Sequence, residues 1–136
     1  MAGESKKYFR PHDVEALIPE LTAIMGQLMD AHGELGQVRS ALGAEQHRIM
    51  LAGGAILDRE GWRERTRRLD ELTRQAQEGI AAIAKLGGVP KDLGMGLVDF
   101  PCLMNDREVN LCWRFGETKI NFWHGLDEGY TGRKPL

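Results

Sequence analysis

Between Asp99 and Arg133 the chain collects a carboxylate acceptor (Asp99), a thiol (Cys112), two guanidinium groups (Arg114 and Arg133), an acid in a turn (Glu117), an indole (Trp123) and an imidazole (His124). Two chemistries draw on this set. Asp99, Cys112, Arg114, Trp123 and Arg133 offer an acceptor, a thiol, bidentate anion donors and an aromatic platform, which suits a small anionic or aromatic ligand. His124 with Glu117 or Cys112, or with Asp127 and Glu128 just beyond, offers nitrogen, oxygen and sulfur donors for a metal. No spacing here is C-x-x-C or H-x-x-x-H, and the chain has no G-x-S-x-G elbow, P-loop or dinucleotide fingerprint, so the motifs dictate neither a cofactor nor a reaction.

Which of these groups meet depends on the strands that carry them. Beyond Lys91 the apolar pattern has a period of two: Val98, Phe100 and Cys102, then Val109, Leu111, Trp113 and Phe115, then Ile120, Phe122 and His124. That alternation predicts a three-stranded antiparallel meander over 96–124. Asn105-Asp106 forms the first turn and Glu117-Thr118 the second, helped by Gly116. Two-residue turns set Asp99 opposite Cys112 and Cys112 opposite Trp123, with Asn110, Arg114 and Asn121 on the same polar face. His124 then falls on the apolar face with Leu111 and Phe122, where a core histidine is the ordinary outcome. The same register points Cys102 and Cys112 to opposite faces, against a disulfide, and leaves Cys112 without a nearby base, against cysteine catalysis. The tail, 125–136, shows no periodicity and is expected to be irregular and to fold back over the sheet, bringing Arg133 as an anion clamp.

The sheet needs a scaffold, and the first two thirds of the chain supplies one. Apolar residues recur at Val14, Leu21, Leu28, Leu35, Leu42 and Ile49, interleaved with Leu17, Ile24, Ala31 and Val38. This is the seam of a long helix over 11–51. Pro11 suits a first turn, and Pro19 must kink the helix or split it. Gly53-Gly54 ends it, Asp58 caps a second helix over 58–86, and Gly87-Gly88 stops that one. The short link forces an antiparallel hairpin with layers Ile49–Trp62, Leu42–Leu69, Val38–Leu72, Leu35–Ala76, Leu28–Ile83 and Ile24–Leu86. Ala31 and Gly79 make one small layer. Glu45 and Arg65 interrupt the two seams at the same level and are expected to pair. Gly26, Gly33, Gly36 and Gly43 form a stripe away from the seam. Each mid-helix glycine costs roughly 0.8–1 kcal/mol against alanine, so the stripe suggests close approach of another backbone, such as a second subunit.

The fold class expected is therefore α+β, one domain over 1–136. Of the 136 residues 42% are hydrophobic and 28% charged, ordinary for a globular chain. A net charge of -2 argues against nucleic acid or an anionic membrane as partner. The run Arg63, Arg65, Arg67 and Arg68 is broken by Glu64 and followed by Asp70 and Glu71, which reads as a mixed-charge helix face. No apolar leader follows Met1 and no run reaches the ~20 residues of a membrane span, so a cytoplasmic location is expected, with Cys102 and Cys112 as free thiols.

Asp99-Phe100-Pro101, Leu111-Cys112-Trp113, Gly116-Glu117, Trp123-His124, Gly129, Gly132-Arg133 and Pro135, with Tyr8-Phe9 and Leu17-Ile18-Pro19-Glu20-Leu21 at the start, resemble the bacterial domain-of-unknown-function family 2203. Arg10-Pro11-His12-Asp13 departs from it where a Thr-type helix cap is expected. The resemblance implies a small bacterial protein of uncharacterised activity and transfers no catalytic residue. It places Asp99, Cys112, Glu117, Trp123, His124 and Arg133 in the family signature. On these residues a non-enzymatic binding or assembly protein is the leading expectation, and a metal-binding protein, possibly an enzyme, the alternative.

Overall fold

The computed structural model describes residues 7–56 and 58–136; the first six residues of the expected domain and the stretch after Met1 lie outside them. Helix α1 (Pro11–Glu15) opens on Pro11, whose missing N–H is not needed in a first turn. In place of a Thr cap, the Asp13 carboxylate reaches back to accept the Arg10 backbone N–H at 2.9 Å. The chain breaks at Ala16-Leu17, and α2 (Ile18–Leu51) carries Pro19 in its first turn, so Pro19 divides the helix and does not kink it. Asp58 accepts the Gly61 N–H at 2.9 Å and starts α3 (Arg59–Leu86). Gly87 ends it with φ 100°, and the Gly88 N–H closes back on the Ile83 carbonyl at 3.1 Å.

The hairpin forms as its seams require. Ala31, Leu35 and Leu72 are buried together with Val38 and Leu69 beside them, while Leu28, Ala76 and Ile83 join the larger core. The small layer is filled by Leu28, which leans across Gly79; a Cβ on Gly79 would stand 3.1 Å from Leu28 Cδ1. Glu45, only 5% exposed, pairs with Arg65 near the tip, and Arg68 clasps Glu34 across the helices at 2.8 Å. A Cβ on Gly26 would stand 3.6 Å from the Phe115 ring, whereas a Cβ on Gly33, Gly36 or Gly43 would meet no atom of the described residues within 4 Å beyond the helix's own backbone.

Among the described residues the sheet has five antiparallel strands in sequence order, two more than the period-two segments predict. They are β1 (Val89–Asp92), β2 (Leu97–Met104), β3 (Arg107–Arg114), β4 (Phe122–His124) and β5 (Lys134–Pro135). Asn105 and Asp106 both take positive φ, 52° and 62°, the signature of a two-residue type I′ hairpin. That turn sets Asp99 opposite Cys112, as expected. Val98, Phe100 and Cys102 with Val109, Leu111 and Trp113 then share one core with Val14, Leu21 and Met25 of the helices. Phe9 stacks edge-on to Phe100 at 5.2 Å. The tail does fold back: it forms a 3-10 turn at Tyr130–Gly132 and then β5, whose Lys134 pairs with Trp123.

The second connection corrects the expected register. Glu117-Thr118 is not a two-residue hairpin; a loop over 115–121 joins β3 to β4. Ile120, placed by periodicity in a strand, turns into the core at 3% exposure, and its N–H is taken by the Glu15 carboxylate at 2.9 Å. The Trp113 indole N–H donates to the Glu117 carbonyl at 3.0 Å. The result pairs Leu111 with Trp123 and Asn110 with His124. A one-residue slip exchanges the faces of a strand. Trp123 therefore packs beside the core, and His124 joins Asp99 and Cys112.

Among the described residues no helix is long and apolar enough to cross a membrane.

Candidate metal centre

Asp99 from the middle of β2, Cys112 from the facing position of β3 and His124 from the end of β4 are buried together on the sheet face opposite the helices. One donor atom from each lies within 4.8 Å of the other two. His124 Nδ1 is 2.9 Å from the Gly125 carbonyl oxygen and Nε2 is 3.0 Å from Asp99 Oδ1. A carbonyl only accepts, so Nδ1 carries a proton. A single proton held between Nε2 and Oδ1 completes the second contact.

Burial pushes the Cys112 thiol up to about 11; the Arg133 guanidinium opposes this, and the Asp99 and Glu117 carboxylates add smaller contributions to the rise. With both imidazole nitrogens committed to oxygen, no hydrogen bond among the described residues joins the Cys112 sulfur to a base. The arrangement lacks the thiol–imidazole contact that a cysteine nucleophile requires.

For a metal the same geometry is favourable. Nδ1–H bonded to a backbone carbonyl fixes the ring so that Nε2 presents its lone pair inward, the usual orientation of a ligating histidine. Zinc bonds of about 2.0–2.3 Å put ligand atoms roughly 3.3–3.7 Å apart. Nε2 and Oδ1 stand 3.0 Å apart and all three donors lie within 4.8 Å of one another, so side-chain adjustments bring them to that spacing, the metal replacing the proton between Nε2 and Oδ1. One thiolate and one carboxylate neutralise a divalent cation, so the loaded site is uncharged in its buried setting.

The matched family model is described as an uncharacterized conserved protein family (DUF2203) and spans residues 7–136. The chain belongs to this family. No curated protein and no solved structure matches it.

The other residues singled out by the sequence surround this centre and do not enter it. Glu117 is held by Arg133 Nη2 at 2.7 and 2.9 Å and accepts the Arg114 backbone N–H at 2.7 Å. Arg133 also donates to the Cys112 carbonyl at 3.2 Å and lies 4.2 Å over the Phe122 ring, so the expected anion clamp already holds an anion of its own chain. Arg114 Nη1 donates to the Tyr130 hydroxyl at 2.9 Å. Trp123, on the other face, carries Lys134 4.8 Å above its ring. The sequence reading missed Lys91 and Tyr130, which with Asn110, expected on this polar face, line a cavity of about 120 Å³ against the three donors. Asn110 reaches it as the alternation requires, two residues before Cys112 on the same face of the strand.

Proposed function

We propose that this protein binds a transition metal, Zn²⁺ by the chemistry of its donors, on Asp99, Cys112 and His124. The observation that carries the reading is the convergence of three buried side chains, one oxygen, one sulfur and one nitrogen donor, in a chain whose histidine is already oriented by Gly125. Thiolate and imidazole select zinc-like ions over magnesium or calcium. Three protein donors leave one tetrahedral position open, the composition of sites that act on a ligand, whereas closed structural sites use four. Two buried free thiols on opposite faces of the sheet also suit a reducing compartment, which favours the cytoplasm.

Cobalt substitution tests the proposal. Titration of metal-free protein with Co²⁺ is expected to produce a thiolate-to-metal charge-transfer band that saturates at one equivalent and disappears in Cys112→Ser. A titration without that band at saturating Co²⁺ overturns the assignment.

A further inference from the structure

The cavity beside the three donors has walls of unequal charge. Its floor is Asp99, Cys112 and His124; the tail covers it with Tyr130 and Glu128, and Lys91 closes one side from edge strand β1. Glu128 is spent, since its carboxylate accepts the Gly125 N–H at 2.9 Å and pairs with Lys134. Lys91 makes no ion pair with any of the described residues. With the metal neutralised by Asp99 and Cys112, and Glu128 by Lys134, the surplus among the lining side chains is the positive charge of Lys91, and the Arg114 guanidinium adds another behind Tyr130.

Tyr130 adds a directional group. Arginine only donates, so the Tyr130 oxygen accepts from Arg114 and keeps its own hydrogen to give. Among the described residues that hydrogen has no acceptor, and Tyr130 borders the cavity. Guanidinium groups at 5.4 Å (Arg114) and 4.9 Å (Arg133) from its ring hold the tyrosine in place. An open metal position, one ammonium and one hydroxyl donor around a small space together describe a receptor for a monoanion with two acceptor oxygens.

We propose that the open coordination position binds a small monocarboxylate, one oxygen on the metal and the other taking the Tyr130 hydroxyl hydrogen, with Lys91 supplying the balancing charge. This rests on the metal reading above. The volume of about 120 Å³ sets the size: at roughly 30 Å³ per water it matches an anion of about four heavy atoms.

The test uses Co²⁺-loaded full-length protein titrated with acetate, with chloride at matched ionic strength as the control, and reads the visible ligand-field bands. Acetate is expected to shift those bands saturably and chloride to leave them in place. Lys91→Met and Tyr130→Phe should each weaken the acetate response about tenfold while Co²⁺ uptake stays stoichiometric. Unchanged bands in a protein that retains its thiolate–cobalt absorption overturn the carboxylate proposal and leave the metal site standing. A response of equal strength in both variants overturns the assigned anchors. Absence of the thiolate–cobalt absorption itself overturns the metal reading, and this inference with it.

Discussion

Arg133 separates two accounts of the tail. As a free anion clamp it would contribute to ligand affinity and little to stability. In the structure it is a strut: its side chain is 12% exposed, it bonds both Glu117 oxygens at 2.7 and 2.9 Å, and its guanidinium lies over the Phe122 ring at 4.2 Å and the Tyr130 ring at 4.9 Å. Arg133→Met keeps the apolar stem and removes the guanidinium. A charge-assisted pair of this kind contributes about 1.5–3 kcal/mol, and each partly shielded cation–π contact about 0.5–1 kcal/mol. Allowing for the Glu117 carboxylate, which keeps the Arg114 N–H as a partner, the expected loss is about 3 kcal/mol. For a chain of this size that corresponds to roughly 10 °C in Tm. Urea unfolding followed by tryptophan fluorescence measures it, and adding Glu117→Gln should recover about 1 kcal/mol by removing the stranded charge. A loss below about 0.5 kcal/mol, within the range of an ordinary surface substitution, would refute the strut.

Gly33→Ala and Gly36→Ala should each stabilise an isolated chain by about 0.8–1 kcal/mol in thermal unfolding, because no atom stands where the new methyl would go; destabilisation would show that another chain packs there. Arg65→Met leaves buried Glu45 unpaired and should cost about 2 kcal/mol in urea unfolding, with most of it recovered when Glu45→Leu is added; additive losses would contradict the pair. The Cys112 thiol, pushed up to about 11 by burial, makes the metal-free fold bind more protons than the unfolded chain above about pH 9. Its contribution is therefore present below that pH and lost as pH rises towards 11, so the stability gap between wild type and Cys112→Ala should narrow over that window; a constant gap would exclude the shift.

The helices, their caps and the Glu45–Arg65 pair could be read from the sequence because each follows from a local rule: a seven-residue repeat, an Asp cap, glycine stops and two charges at matching levels of two seams. The β2–β3 register followed from Asn105-Asp106 for the same reason, since both residues accept positive φ. The β3–β4 connection was not legible. Gly116-Glu117-Thr118 has turn composition, but Ile120 serves the core through a contact with Glu15 of the α1 helix, a partner that no local pattern reveals. That one residue decided which side chains meet. The expected register offered Asp99 the Arg114 side chain on the same face; in the structure Asp99 is buried and its partner is His124, while Arg114 turns to Tyr130. Strand β1 contains Pro90 and lies at the sheet edge, and β5 has two residues, so neither carries a period-two signal.

The most direct test of the metal assignment is elemental analysis of protein purified without a metal-affinity tag, beside a His124→Ala variant checked for folding by circular dichroism. Zinc near one equivalent in the wild type and lost from the folded variant is the expected result. Folded wild-type protein that holds no transition metal after equilibration with Zn²⁺ and removal of excess would contradict it.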